Sequence, residues 1–258
     1  YMGKKHKYDF VITEIGGTVG DIEGQPFLEA IRQLKWELGK NAVCVHLTYV
    51  PYLAAAGELK TKPTQHSVKE LQSLGIQPDI LVLRAEHDLN ANLRRKIANF
   101  CNVSPDAVVQ SLDMPTIYEV PLSMQEQGLD ATILRKLDLP VGETPGLGPW
   151  RSFLERRHKA TEVVNIGLVG KYDLQDAYKS ILEALSQAGT YNDHKVKCHF
   201  INSEKINETN VAEMLAGMDG YVICPGFGQR GIEGKIIAAR YCRENDRPTF
   251  GICLGMQM

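Results

Sequence analysis

The sequence lacks any apolar run of membrane-spanning length, and its basic start passes into a predicted strand without the apolar core of a signal peptide. It also lacks an excess of either charge, because 29 Lys and Arg face 31 Asp and Glu and leave a formal net charge of -2. This balance offers no general attraction to nucleic acid or to an anionic membrane. We therefore expect a cytoplasmic protein with neither as a partner, in which a local site holds any anionic ligand.

Paired metal-binding cysteines are also missing. The six cysteines are scattered without a C-x-x-C spacing, and most lie in apolar surroundings, as buried thiols do. This distribution argues against a zinc site and against a disulfide scaffold. The chain likewise shows no internal repeat and no low-complexity tract.

What the sequence does contain is an alternation of apolar runs and amphipathic stretches, which is typical of parallel sheets with crossover helices. Its 258 residues suffice for two ordinary domains, with a single large α/β domain as the alternative. Residues 139–162 are rich in Pro and Gly and then highly charged, which indicates a linker. We therefore predict two doubly wound α/β domains, residues 1–138 and 163–258.

The individual elements follow from the same patterns. The last strand leads into LGMQM, barely the first turn of a covering helix, and the start of the chain is abrupt. We therefore expect both domains to be incomplete and the chain to be a piece of a longer protein. The predicted strands are residues 8–15, 42–50, 79–85 and 108–112 in the first domain and 163–172, 195–201, 220–226 and 248–253 in the second, and a single helix is predicted around 124–137.

A cysteine near the end of the chain has the surroundings of a nucleophile. Cys253 lies between Gly251 and Gly255 at a predicted strand-to-helix junction. G-x-C-x-G is the cysteine version of a nucleophile elbow, in which glycines permit a strained turn packed closely against its neighbours. The positive end of the following helix favours the thiolate form. The alternative is a buried cysteine in a tight turn.

A glycine-rich loop, Cys224 to Gly231, follows another strand predicted in the same sheet. Ligands bind at the carboxyl edge of such sheets, so we expect this loop and the cysteine to meet there. Backbone N–H groups of Gly226 and Phe227 are then placed to stabilise the oxyanion formed when Cys253 attacks an amide carbonyl. The two features together predict a thiol amidase, whereas the loop alone is also compatible with a simple glycine turn.

A cysteine amidase also requires a base that takes up the proton and returns it to the leaving ammonia. No histidine of the second half is well placed. His158 lies in the predicted linker, and His194 and His199 lie at a strand without another catalytic signal. We expect the base to lie outside this sequence.

Acidic and basic residues border a glycine-rich loop in the first domain. Glu14 ends the predicted first strand, and Asp21 and Glu23 follow the loop. A carboxylate at a strand end beside a flexible loop suits Mg²⁺ bound to nucleotide phosphates. Lys60 and Lys62 precede a helix whose N-terminus also suits phosphate. The alternative for each group is a turn cap or a solvated charge.

Seven stretches of the chain, in order, resemble the CTP synthase family: EIGGTVGDIEGQPFLEAIRQ, GELKTKPTQHSVKEL, GIQPDILVLR, KIANFCNV, LVGKY, PGFGQRGIEGK and GICLGMQ. The resemblance covers essentially the whole chain, and the first two stretches are the most specific, because all triad glutamine amidotransferases share the cysteine elbow. It implies a P-loop-like amidoligase domain that uses ATP to phosphorylate UTP, and a class I glutaminase domain that supplies ammonia through a tunnel. It further implies a ligase of pyrimidine biosynthesis, feedback inhibition by CTP, GTP as a candidate activator, and a homotetramer.

The resemblance also implies roles for individual residues. Glu14 would bind Mg²⁺, Cys253 would be the glutaminase nucleophile, and Lys96 would contact a nucleotide. The other implied contacts are Asp21, Ile22 and Glu23 for CTP; Lys60, Thr61, Lys62, Pro63, Thr64 and Gln65 for UTP or CTP across a subunit boundary; Asp113 and Met114 for ATP; and Gly226, Phe227, Leu254, Gly255, Met256 and Gln257 for glutamine or its oxyanion.

The sequence also departs from the family pattern. It has one glycine fewer than the usual P-G-G-F-G at residues 225–228, and the stretch 111–118 is a residue shorter than expected. A G-x-x-x-x-G-K-[ST] phosphate loop and a His–Glu pair after the cysteine are absent. We therefore expect the chain to hold half of each active site and to be inactive alone as a synthetase. Two alternatives remain, a cysteine hydrolase of γ-glutamyl compounds with a nucleotide-sensing first domain and a non-catalytic assembly module.

Overall fold

The computed structural model describes residues 5–172 and 175–258 and divides into two compact units after Gly146. Each unit is described by itself. The first contains α1 (Gln25–Leu38), β1 (Val45–Tyr49), β2 (Tyr52–Leu53), β3 (Glu58–Leu59), α2 (Lys62–Ser73), β4 (Ile80–Ala85), α3 (Ala91–Cys101), β5 (Val108–Leu112), α4 (Val120–Glu126) and α5 (Leu129–Lys136).

A parallel sheet with the order β1-β4-β5 forms the centre of the first unit. The middle strand β4 is buried at every position except Arg84, as its nearly continuous apolar run predicts for a strand covered on both faces. Val68 of α2 and Ile97 of α3 belong to the same buried cluster as Leu81 and Leu83. Strands β2 and β3 pair as a separate antiparallel hairpin.

Residues 8–15, predicted as the first strand, form no strand. Tyr8, Phe10, Val11 and Ile12 are exposed, Ile12 to 96%, and Ile15 is half-buried. An extended segment becomes a strand only when its backbone groups bond to a neighbouring strand. No strand in the described part of the chain pairs with this segment, so the prediction was wrong for this structure.

The single helix predicted around 124–137 is also wrong, because it is divided into α4 and α5. Gly128 has a φ of 71°, and its N–H donates to the carbonyl of Gln125 at 2.9 Å, which closes the first helix. Glycine adopts this left-handed backbone without the steric cost that other residues carry. The apolar periodicity therefore continues through a break in the backbone.

The second unit begins with a helix inside the segment predicted as a linker. Leu154 of this helix is buried, and Arg156 donates to Asp193 at 2.9 Å. The role of residues 139–162 as the interdomain connection stays a prediction. The elements of this unit are α6 (Gly148–Lys159), β6 (Val163–Gly170), α7 (Lys179–Tyr191), β7 (Lys195–Asn202), α8 (Val211–Met214), β8 (Gly220–Ile223), α9 (Ile232–Glu244), β9 (Thr249–Gly251) and α10 (Leu254–Gln257).

The sheet of the second unit is parallel throughout, with the order β7-β6-β8-β9. Successive residues of β6 point to opposite faces, so Leu168 and Val169 belong to different buried clusters. One cluster includes side chains of α8 and α9, and the other is packed against α7. Helices thus cover both faces of this sheet, and the predicted α/β class with parallel sheets is confirmed.

No helix in the described ranges is both long and apolar enough to cross a membrane.

Candidate functional site

Cys253 lies at the junction between β9 and α10 with a φ of 51° and a ψ of -114°. A non-glycine residue rarely adopts a positive φ, because its Cβ crowds the neighbouring backbone. The side chain is nevertheless exposed rather than packed. The strained turn expected of a nucleophile elbow is therefore present, and the alternative of a buried cysteine is excluded in this structure.

The glycines on either side of the cysteine are required by close backbone contacts. A Cβ on Gly251 would lie 2.5 Å from the carbonyl oxygen of Gly255. A Cβ on Gly255 would lie 2.0 Å from the carbonyl oxygen of Ile223, at the end of β8. The first turn of α10 therefore packs directly against the backbone of β8.

The other five cysteines are buried or half-buried. Burial raises the pKa of Cys224 to about 12 and that of Cys101 to about 11. Such thiols stay protonated and shielded at neutral pH. Cys253 is therefore the cysteine most accessible to a substrate.

The glycine-rich loop leaves the end of β8, the strand paired with β9. Within residues 5–172 and 175–258, the N–H groups of Gly226, Phe227 and Gly228 have no hydrogen-bond acceptor. The N–H of Leu254, the residue after the cysteine, likewise has no acceptor in the described part of the chain. Unoccupied amides from a loop and from the residue after the nucleophile are the donors that elbow enzymes use for an oxyanion.

Backbone contacts hold the start of this loop next to the elbow. Ile252 N–H donates to the carbonyl of Ile223 at 3.0 Å, and Ile223 is in register with Gly251. Phe227 is 84% exposed, and Met256 and Gln257 are exposed as well. The two features therefore meet at the carboxyl edge of one sheet, as predicted.

Two buried lysines beneath the loop were missed by sequence reasoning. Lys235 of α9 is 1% exposed and donates from Nζ to the carbonyl of Cys224 at 2.7 Å. Lys171, which directly follows β6, is 6% exposed and donates to the carbonyl of Phe227. The sequence offered one signal for each: Lys171 comes directly after a buried strand, and Lys235 lies on the apolar face of a helix.

The histidines considered as bases lie elsewhere in the unit. The Nε2 atom of His194 lies 3.1 Å from the carboxylate of Glu162, and that of His199 lies 2.9 Å from the side-chain oxygen of Asn165. Both belong to β7 or its start, which β6 and β8 separate from β9. Neither of these two histidines is placed to activate Cys253.

In the first unit, the glycine-rich loop and α2 line an open cavity of about 760 Å³. The loop is shaped by Asp21, whose carboxylate accepts from the N–H of Thr18 at 2.8 Å. Glu23 is exposed beside it and accepts no side-chain hydrogen bond from the described residues. The lining residues are Thr18, Val19, Gly20, Pro63, His66, Ser67, Lys69, Glu70 and Ser73.

The basic run before α2 divides into exposed and buried positions. Lys60 forms an ion pair with Glu58. The hydrogen bond from Lys60, with a smaller contribution from the charge of Lys96, lowers the pKa of Glu58. Both predicted nucleotide contacts, Lys60 and Lys96, therefore act on the charge of Glu58.

The side chains of the same run that face inward are already bonded. Thr64 is 0% exposed, and its hydroxyl lies 3.0 Å from that of Thr48. Gln65 donates to the buried hydroxyl of Thr61 at 3.1 Å. In this structure these threonine side chains anchor α2, whereas Lys62 at the start of the helix stays exposed.

The remaining predicted residues lie on exposed loops. Asp113 follows β5 and accepts from Arg84 at 3.4 Å, and Met114 beside it is half-buried. Glu14 is exposed, and the described residues contain no group of three metal-ligating side chains. Magnesium bound to phosphates and water needs only one or two protein carboxylates, so Glu14 fits that role.

Comparison with known proteins gives a consistent assignment for both units. The model of the CTP synthase N-terminus matches residues 1–139, and the model of class-I glutamine amidotransferases matches residues 173–258. The CTP synthases of Bacteroides thetaiotaomicron and Porphyromonas gingivalis strain W83 are 76% and 66% identical to this chain, over 99% of its length. The chain covers 48% of each relative, so it spans about half the length of the curated relatives it matches.

One solved structure is also similar, the glutaminase domain of Trypanosoma brucei CTPS with bound acivicin. The identity is 35%, with a TM-score of 0.35 over 36% of this chain and 38% of the other. The family models, which together match both units, show that the chain belongs to the CTP synthase family.

Proposed function

We propose that this chain is part of a glutamine-hydrolysing CTP synthase, which aminates UTP to CTP at the expense of ATP. The observation that carries the proposal is the exposed, strained Cys253 beside a loop of unoccupied amides. The similarity to whole CTP synthases supports the same assignment. Pyrimidine nucleotide biosynthesis is the corresponding process.

In the proposed glutaminase reaction, the Cys253 thiolate attacks the side-chain amide carbon of glutamine. The carbonyl electrons move to oxygen, and the N–H groups of Gly226 and Leu254 stabilise this oxyanion. The C–N bond then breaks, the nitrogen takes up a proton and leaves as ammonia, and water hydrolyses the thioester to glutamate. Because the donors are backbone amides on packed elements, they are oriented before the reaction.

In the proposed synthetase reaction, residues of the first unit hold nucleotides and ATP activates UTP toward ammonia. Lys60, Lys62 and Lys96 would compensate triphosphate charge, and Asp113 and Met114 would lie near the adenine. Magnesium, when bound, would neutralise phosphate charge and would be held by Glu14. A homotetramer, CTP feedback, activation by GTP and a cytoplasmic location belong to the same proposal.

The proposal is tested with Cys253→Ala in the full-length gene product, with Cys198→Ala on β7 as the control. We expect Cys253→Ala to lose glutamine-dependent CTP formation and to keep ammonia-dependent formation nearly intact, because free ammonia bypasses amide cleavage. CTP is measured with each nitrogen donor.

Loss of both activities in Cys253→Ala would contradict the assignment of the second unit. A wild-type protein without UTP-dependent ATP turnover would exclude the synthetase. Glutamine hydrolysis without that turnover would instead favour a γ-glutamyl hydrolase, and absence of both activities would favour an assembly module.

A further inference from the structure

Lys235 is a fully buried cation at the centre of the second unit. Its Nζ donates to the carbonyl of Cys224 at 2.7 Å and lies 3.5 Å from the carbonyl of Pro225. No carboxylate of the described residues forms an ion pair with it. Burial lowers the pKa of Lys235, as the neighbouring charge of Lys171 also does, whereas Cys224 and Cys253 act in the opposite direction. A buried ammonium without an acidic partner is costly, which points to a specific role.

The two carbonyls that accept from Lys235 open the glycine-rich loop. A second buried lysine, Lys171, binds the carbonyl of Phe227 farther along the same loop. A Cβ placed on Gly226 would lie 3.6 Å from Lys235 Nζ and 4.0 Å from Lys171 Nζ. The loop backbone is therefore held by ammonium groups at carbonyls that come before and after Gly226 in the sequence.

This attachment fixes the direction of the loop amides. In a planar trans peptide, the carbonyl and the next N–H point in opposite directions. The Pro225 carbonyl faces Lys235, so the N–H of Gly226 points away from Lys235 and, as noted above, has no described acceptor. The elbow contacts the same backbone two residues before Pro225, where the carbonyl of Ile223 accepts from the N–H of Ile252.

We propose that Lys235 is a positioning residue of the glutaminase site, whose ammonium holds the start of the glycine-rich loop so that the Gly226 amide faces the substrate oxyanion. The inference rests on the proposed glutamine hydrolysis. Lys235 itself touches no reacting atom. Its role is to keep a backbone donor within the narrow range of geometry in which that donor stabilises the developing charge.

The test compares Lys235→Met and Lys235→Gln in the full-length gene product, with exposed Lys205→Met as the matched control. Methionine and glutamine are both one bond shorter than lysine. Methionine fills a similar volume but cannot donate a hydrogen bond, whereas glutamine keeps an N–H donor. We expect kcat for glutamine hydrolysis to fall about tenfold in Lys235→Met, less than for deletion of an oxyanion donor, and about threefold in Lys235→Gln. KM for glutamine and ammonia-dependent CTP formation should stay within about twofold of wild type.

A purely structural role would lower all activities together, so loss of ammonia-dependent synthesis in parallel overturns the inference. Unchanged kcat in Lys235→Met overturns it as well. If Lys235→Met does not fold, Lys235→Gln decides, and a wild-type kcat in that variant is the contradicting result. A wild-type protein that hydrolyses no glutamine contradicts the proposed function itself. If the wild type and both Lys235 variants hydrolyse glutamine with the same kcat, only the role of Lys235 is contradicted.

Discussion

At the scale of single residues, the two carboxylates that follow the glycine-rich loop of the first unit differ in their hydrogen bonding. The carboxylate of Asp21 closes its own turn by accepting from Thr18. Glu23, two residues later, stays exposed on the same short turn and has no such engagement in the described structure. Glu23 is therefore the carboxylate of this loop that is available to hydroxyl and amine groups of a ligand.

We predict that Glu23→Gln weakens CTP inhibition more than UTP use, because the two nucleotides share a triphosphate but differ in base. Lys60→Ala should weaken both about equally, by roughly tenfold, because a phosphate contact serves both ligands. Lys40→Ala is the control, since Lys40 is also exposed and paired with an acid. The inhibition constant for CTP and KM for UTP are measured in each variant. Equal weakening of both by Glu23→Gln would mean that the feedback assignment fails.

At the scale of elements, the nucleophile turn depends on the contact between α10 and β8. The carbonyl of Ile223 lies where a Cβ of Gly255 would be, at 2.0 Å, so the helix can approach the strand only with glycine there. The contacting atoms belong to the backbone, which cannot move aside as a flexible side chain does. The geometry of Cys253 therefore depends on a residue two positions away.

We predict that Gly255→Ala lowers the free energy of unfolding by about 1–3 kcal/mol, the usual cost of overpacking. It should also reduce glutamine hydrolysis more than tenfold, because the displaced helix carries the Leu254 amide away from the oxyanion. Gly148→Ala is the control, since a Cβ at Gly148 meets no atom within 4 Å. Urea unfolding and glutaminase assays measure the two effects. Wild-type values for both in Gly255→Ala would show that the contact is not required.

At the scale of the whole molecule, the proposed synthetase and glutaminase reactions belong to different units, so we expect mutations to separate them. We predict that Glu14→Ala removes CTP formation with either nitrogen donor. Without the magnesium ligand, phosphate charge is left uncompensated, which raises the barrier to phosphoryl transfer by roughly several kcal/mol. Alkylation of Cys253 by iodoacetamide should be unchanged, because the second unit is not altered. Glu37→Ala, another exposed carboxylate of the first unit, is the control. Ammonia-dependent synthesis by Glu14→Ala at saturating Mg²⁺ would make Glu14 a structural residue.

Local sequence patterns were sufficient for most elements and for the strained turn at Cys253. Helix α1 begins near Pro26 and ends at Gly39, where its signals placed it, because these residues act on their own backbone. The cysteine elbow was predictable for the same reason, since Gly251 and Gly255 are needed wherever a strained turn packs closely. The interdomain boundaries and ligand contacts remain predictions from the sequence.

The amino-acid sequence by itself determined the parallel α/β class, the alternation of elements and the glycine-flanked turn at Cys253, because periodicity and glycine spacing act locally. Only the tertiary structure decided the order of strands, the absence of a strand at residues 8–15 and the burial of Thr64. It also decided that Lys171 and Lys235, ordinary surface residues by composition, lie buried beneath the loop. Pairing and burial depend on neighbours that are distant in sequence, and no local pattern contains them.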